Sequence, residues 1–149
     1  MHRRIRWGRV LAAALLSELG VIAVLVAIST VYMFFIAPGR TSAEYQAFAA
    51  RAGYYVAPAV SGLATFLAVL WLWRRFDAHP LANGAAVGIA AAILASSFLF
   101  TARPEDRAMY VVSFALRIAG GCLGGAALQT AHRRKSAVPP SDAAEAMIR

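Results

Sequence analysis

Long, nearly uninterrupted runs of apolar residues dominate the chain, and polar residues collect in the segments between them. The runs cover residues 10–36, 55–73, 81–100 and 109–129. A helix needs about 20 apolar residues to cross the ~30 Å hydrocarbon core of a bilayer, and each run is close to that length or longer. Lipid offers no partner to unpaired backbone N–H and C=O groups, and the runs are too continuous for barrel strands. The pattern therefore predicts an all-α, polytopic membrane protein with four transmembrane helices.

The segment between the first two runs carries a helical pattern of its own. Thr41 and Glu44 have the spacing of a capping box, in which each side chain accepts a hydrogen bond from the backbone N–H of the other residue. Apolar residues then recur at helical spacing as far as Gly53, which suits a C-terminal cap. We expect a short amphipathic helix on the outer face of the membrane. It would either cover the end of the bundle or gate a cavity beneath it.

Composition agrees with a membrane location. Of the 149 residues, 60% are apolar and only 15% are charged, and the mean hydropathy is +0.62. A soluble domain carries about 25% charged residues, so this chain lacks the polar surface that water requires. The length suits one domain, which we place at residues 1–135. Residues 136–149 are rich in Pro and Ala and predict a disordered cytoplasmic tail.

The basic residues decide the predicted orientation. The net charge is +8, but most Arg residues flank the apolar runs, as charges beside lipid headgroups do, so we expect no nucleic-acid partner. One side of the predicted bundle holds ten Lys and Arg residues and the other holds four; they are Arg3, Arg4, Arg6, Arg9, Arg74, Arg75, Arg133, Arg134, Lys135 and Arg149 against Arg40, Arg51, Arg103 and Arg107. The positive-inside rule then places both ends in the cytoplasm. The Arg- and Ala-rich composition favours a bacterial inner (plasma) membrane.

Small residues predict where helices approach each other. The third run contains Gly84 and Gly88, and the fourth contains two overlapping Gly-x-x-x-Gly motifs made by Gly120, Gly121, Gly124 and Gly125. Residues four apart share one helix face, and missing side chains there let two backbones approach closely. The motifs predict packing of the third helix on the fourth. The alternative is a homo-oligomer, or a contact with another membrane protein, through the fourth helix.

Two charged residues lie inside the apolar runs, Glu18 in the first and Arg117 in the fourth. A charge near the bilayer centre costs a few kcal/mol, so each one needs a partner or a wet cavity. Their predicted depths differ by only ~9 Å at ~1.5 Å per residue, which long side chains can bridge. We predict an ion pair that holds the first helix against the fourth. The alternative for the Arg117 side chain is to extend outward toward Glu105 or Asp106.

The surroundings of Glu18 also allow a transport hypothesis. Residues 16–20, Leu-Ser-Glu-Leu-Gly, resemble the first span of the proton-coupled small multidrug exporters, which are four-helix proteins with a Glu in that span. The resemblance implies that Glu18 would exchange protons for cations. The chain departs from that family in its length, its long outer connection and the lack of aromatic residues in the middle of the third run. It also has Arg117, which would neutralise the carboxylate.

The remaining residues offer little chemistry. His2, His79 and His132 lie outside the runs without metal-ligand spacing, and Cys122 is the only cysteine, so we expect neither a metal site nor an intrachain disulfide. No nucleophile has a base at a matching depth, so we expect no enzyme and no cofactor. The expected role is that of an accessory or interaction subunit in the membrane. The alternative is a small oligomeric proton- or cation-coupled transporter that uses Glu18.

Overall fold

The computed structural model describes residues 7–73, 79–100 and 107–137, and gives only the backbone for Trp73, Phe98 and residues 134–137. Four segments named in the sequence analysis lie outside the described residues. They are the basic segment before the first helix, the basic loop at 74–78, the acidic segment at 101–106 and residues 138–149 of the predicted tail.

The described residues form four long helices. Helix α1 is Trp7–Val31 and continues into a π-helical turn at Tyr32–Ile36; α2 is Ser42–Trp73, α3 is Pro80–Leu99 and α4 is Arg107–Ala137. All four are long and apolar enough to cross a membrane. The predicted all-α class is thus confirmed, and each apolar run lies in one helix. Helix α4 runs past residue 129, so that residues 136 and 137, which we had assigned to the tail, are helical.

The predicted separate helix at residues 42–53 is wrong, although its start is right. The backbone N–H of Thr41 donates to Glu44 Oε2 at 2.9 Å and that of Glu44 donates to Thr41 Oγ1 at 3.4 Å, which is the predicted capping box. The helix that begins there continues through Gly53 as α2. Gly53 lacks the positive φ of a C-terminal cap, which among the described glycines occurs at Gly39. Because nothing breaks the helix at Gly53, the outer segment and the second span are one element.

The helices are arranged so that α1 and α4 are not neighbours. The main contacts join α1 to α2, α2 to α4, α4 to α3 and α3 to α1, which puts α1 and α4 at opposite corners of the bundle. An ion pair between the first helix and the fourth, as the sequence predicts, therefore has to reach across the bundle. The physical reason is that α4 is flanked by α2 on one side and by α3 on the other.

Glycine contacts give the relative directions of the helices. Gly84 of α3 lies against Gly121 and Gly125, whereas Gly88 lies against Arg117 of α4, so these two helices are antiparallel. Gly62 of α2 lies against Gly120, and residues 66 and 69 lie against Gly124, so α2 and α4 are parallel. The start of α1 and the end of α4 consequently share one end of the bundle, called here the terminal end. The connection at residues 37–41 marks the opposite end, called here the loop end.

Small side chains fill the interior, and large ones cover the outside. The buried apolar residues are mainly Ala and Val, and the largest fully buried side chains include Val10, Val69 and Val87. Leu19 is 62% exposed and Ile93 is 66% exposed, as expected where acyl chains rather than water surround the bundle. In lipid, close backbone approach and polar contacts hold helices together in place of a large hydrophobic core.

Candidate functional site

Glu18 and Arg117 meet inside the bundle. Arg117 Nε donates to Glu18 Oε1 at 2.8 Å, and Arg117 Nη2 donates to Glu18 Oε2 at 2.9 Å. The side chain of Arg117 is 7% exposed and that of Glu18 is 17% exposed. A two-point contact between a planar guanidinium and a carboxylate is the strong form of this interaction. Each charge is therefore satisfied at membrane depth by the other.

The pair crosses the bundle from corner to corner. Because α1 and α4 are not neighbours, their backbones leave an interior space that only long side chains can span. Arg117 supplies most of the reach, since its guanidinium lies at the end of three methylene groups. The structure thus brings together the two residues that the sequence singled out, but through the centre of the bundle rather than across a helix interface.

A chain of hydrogen bonds continues from Arg117 to α2. Arg117 Nη1 donates to Ser113 Oγ, one turn earlier on α4. Ser113 Oγ lies 3.1 Å from Ser61 Oγ on α2, and Ser61 Oγ donates to the carbonyl oxygen of Pro58 at 2.7 Å. A hydroxyl has one proton to donate, and that of Ser61 goes to the carbonyl, so Ser113 must be the donor between the two serines. Every proton in the chain therefore points from Arg117 toward Pro58.

This arrangement ties three helices together. Removing either member of the pair would leave the other charge without its counter-charge in a low-dielectric interior, which is costly. The geometry is that of a structural contact between α1, α4 and α2.

The two serines are the part of the site that sequence reasoning did not single out. Ser61 and Ser113 are common types of polar residue in membrane helices, and other serines here do bond to their own helix, as Ser96 does to the carbonyl of Ile93. The available signal was the spacing of Ser113, four residues before Arg117 and hence on the same helix face. Nothing in the sequence indicates that Ser61 lies opposite.

The third helix packs on the fourth through glycines. A Cβ atom built on Gly84 would clash with the carbonyl oxygen of Gly121, and one on Gly88 would lie 2.7 Å from that of Arg117. A Cβ on Gly125 would lie 2.6 Å from the carbonyl oxygen of Pro80. Real Cβ atoms do not approach backbone this closely, so the contact requires glycine at these positions.

The other two glycines of α4 serve a different neighbour. Gly120 lies against the backbone of Gly62, and Gly124 lies against Phe66 and Val69, all on α2. Gly62 is a packing residue that the sequence analysis overlooked. The overlapping motifs are therefore two adjacent faces, each used within the monomer. A homo-oligomer through these glycines would require the bundle to open.

Metal-binding side chains and known proteins add little to this picture. Among the described residues there is no group of three or more His, Cys, Asp or Glu side chains that could hold a metal ion. No protein-family profile, curated protein or solved structure matches the chain.

Proposed function

We propose that this chain is an accessory or interaction subunit of a bacterial inner (plasma) membrane, with both ends in the cytoplasm and no catalytic chemistry of its own. The observation that carries the proposal is the contact of Glu18 with Arg117. It supports a scaffold role because the most reactive groups at membrane depth are used to hold the bundle together. Binding is then left to the outer faces of the helices.

Helix α1 offers an exposed face for a partner. In its most apolar 18-residue stretch 6% of the residues are buried, against 33–39% in the other three helices. Leu15 and Leu19 are more than half exposed on this helix. A partner at α4, the helix predicted from the sequence, would have to use the outward positions around Val112 and Leu123, because the glycine faces are occupied. Lipid covers these surfaces wherever no partner binds.

Site-specific photocrosslinking in native membranes tests this proposal. A photoreactive residue replaces Leu15 on α1 or Leu123 on α4, and Leu63 of α2, which is 59% exposed, provides the matched control. We expect a discrete protein adduct from Leu15 or Leu123 and only lipid adducts from Leu63. Lipid adducts alone at all three positions would argue against an interaction subunit.

The variant Glu18→Gln distinguishes the transport alternative from a structural role of the charge pair. A structural pair predicts low abundance for this variant and recovery when Arg117→Gln or Arg117→Met is added, because no charge is then left unpaired. A transporter predicts normal abundance with loss of substrate flux or resistance. Measuring protein level and flux in the same membranes distinguishes the two outcomes.

A further inference from the structure

The helices of this bundle do not have the same length. Trp7–Ile36 has 30 residues, about 45 Å of helix at ~1.5 Å per residue, whereas α3 has 20 residues, or about 30 Å. Only α3 matches the ~30 Å hydrocarbon core. Helix α1 must therefore tilt, thicken the bilayer locally, or extend beyond the end of α3.

Contacts with Arg117 show where the excess lies. Arg117 contacts the side chain of Glu18 on α1 and lies against Gly88 on α3. Glu18 and Gly88 are therefore at a similar level along the axis of the bundle. From that level α3 continues for 11 residues to Leu99, since 99 minus 88 is 11, and α1 continues for 18 residues to Ile36, since 36 minus 18 is 18. At ~1.5 Å per residue, residues 33–36 lie roughly 5–10 Å beyond the end of α3.

These projecting residues expose apolar side chains in succession. Phe34 is 64% exposed, Phe35 is 81% exposed and Ile36 is 67% exposed, with Met33 beside them. They occupy the π-helical turn, which Ala37 closes by donating its backbone N–H to the carbonyl of Tyr32 at 2.9 Å. The distance beyond α3 corresponds to the layer of headgroups, because a bilayer measures about 40–45 Å with both interfacial layers included.

The rest of the loop end holds this turn in a defined shape. The ring of Tyr32 stacks on that of Phe48 with 3.6 Å between centroids, so the end of α1 is fixed to α2. Tyr45 donates its hydroxyl proton to the carbonyl of Ala37 at 2.8 Å and accepts from the backbone N–H of Arg40 at 3.1 Å. Polar groups lie at the very end, where Arg40 pairs with Glu44 at 3.0 Å. The loop end therefore has a charged tip and an apolar flank.

We propose that Met33, Phe34, Phe35 and Ile36 insert into the interfacial layer of the adjacent leaflet, among its headgroups, and anchor the loop end of the bundle to lipid. Exposed Phe and aliphatic side chains beside charged groups are the pattern of an interfacial anchor. The four residues are also continuous with the lipid-facing side of α1, where Val31 is 48% exposed. The proposed anchor is thus the end of α1, and not the segment at 42–53, for which the sequence predicted an amphipathic helix on the outer face.

Depth-dependent quenching of a fluorescent probe tests the proposal on the full chain in phosphatidylcholine vesicles. In a Cys122→Ser background, Phe35→Cys carries an environment-sensitive nitrobenzoxadiazole label, and Gln46→Cys, an exposed polar position in the same projecting hairpin, provides the control. We expect a spin-labelled lipid with a shallow nitroxide to quench the probe at residue 35. We also expect iodide on both sides of the membrane to quench residue 35 about threefold less than residue 46, because side chains inserted into the interfacial layer are shielded from water.

Two results would overturn the proposal. Equal quenching of both positions by iodide would mean that the loop end stands in water, and shielding of residue 35 from both quenchers would mean that protein covers it. Phe34→Cys repeats the measurement at a neighbouring position should the first variant fold poorly, as judged by circular dichroism. The result is independent of the proposed interaction role, since pure vesicles contain no partner.

Discussion

At the scale of single residues, the contact between Glu18 and Arg117 explains how a bundle of this kind tolerates charge. Neither residue alone would be stable at membrane depth, yet as a pair they make two hydrogen bonds of 2.8 and 2.9 Å. The benefit lies in the match between the partners and not in the presence of charge, because a buried pair replaced by well-packed apolar residues is often equally stable.

Removing one member of the pair should therefore destabilise the protein more than removing both. We expect Glu18→Gln to lower the free energy of unfolding by about 3 kcal/mol, since it leaves the guanidinium of Arg117 unpaired. Adding Arg117→Met should recover most of the loss. Unfolding in mixed detergent micelles, followed by circular dichroism, measures both, with Glu44→Gln at the exposed loop end as the control. Equal losses in the single and double variants would contradict a direct pair.

The serine beside Arg117 gives a second residue-scale prediction. Ser113→Ala should cost about 1–2 kcal/mol, because it removes an acceptor from the guanidinium and the donor to Ser61. Ser97 bonds only to the carbonyl of Leu94 one turn away and is exposed, so Ser97→Ala should have little effect. The same unfolding assay compares them. Similar small losses would show that the chain to Pro58 adds nothing to stability.

At the scale of whole elements, glycine has opposite roles at different positions of one bundle. Gly53 lies inside α2, and a Cβ built on it meets nothing within 4 Å. Gly53→Ala should stabilise the protein by roughly 0.5–1 kcal/mol, because alanine loses less conformational entropy in a helix. Destabilisation would instead favour the separate outer helix that the sequence had suggested, with Gly53 as its cap. Thermal unfolding in detergent is a sufficient measurement.

On α4 the same kind of residue is indispensable. Gly121→Leu should separate α3 from α4 and cost several kcal/mol, since a backbone oxygen occupies the space of even its first carbon. Ala119→Leu on the outward side of the same helix should be nearly neutral. Unfolding and size-exclusion chromatography together distinguish this from a dimer contact. If Gly121→Leu changed the oligomer size and left the stability intact, packing within the monomer would not be its role.

The limits of sequence reasoning are clearest at this scale. Apolar runs predict the helices because the bilayer core demands a minimum length. The runs of glycine predict close packing, but adjacent positions such as Gly120 and Gly121 differ by about 100° around a helix and so face different neighbours. The sequence does not identify the neighbour of each glycine face, because α2 and α3 both carry small residues. Gly62, isolated in its run, gave no sign that it lies against Gly120.

At the scale of the whole molecule, the two ends of the bundle carry different basic residues. The antiparallel arrangement brings the start of α1 and the end of α4 to the terminal end of the bundle, and the basic Arg9 and Arg133 lie there. The loop end carries Arg40, Arg51 and Arg107 among the described residues, and over the whole sequence the predicted count is ten Lys and Arg residues on the terminal side against four on the other. Orientation in a membrane follows Lys and Arg in short flanking segments, so the terminal end is the one we propose to be cytoplasmic.

That orientation can be measured with two exposed neutral positions. In the Cys122→Ser background, Gln46→Cys marks the loop end and Ala131→Cys marks the terminal end. A membrane-impermeant maleimide added to intact spheroplasts should label residue 46 at once and residue 131 only after the membrane is permeabilised, because basic flanks are retained in the cytoplasm. The reverse pattern would invert the bundle, and labelling of both would indicate mixed orientations. A neutralised variant, Arg9→Gln with Arg133→Gln, should shift labelling toward the mixed pattern if these charges help to set the orientation. Unchanged labelling would assign the orientation to the other basic residues of the chain.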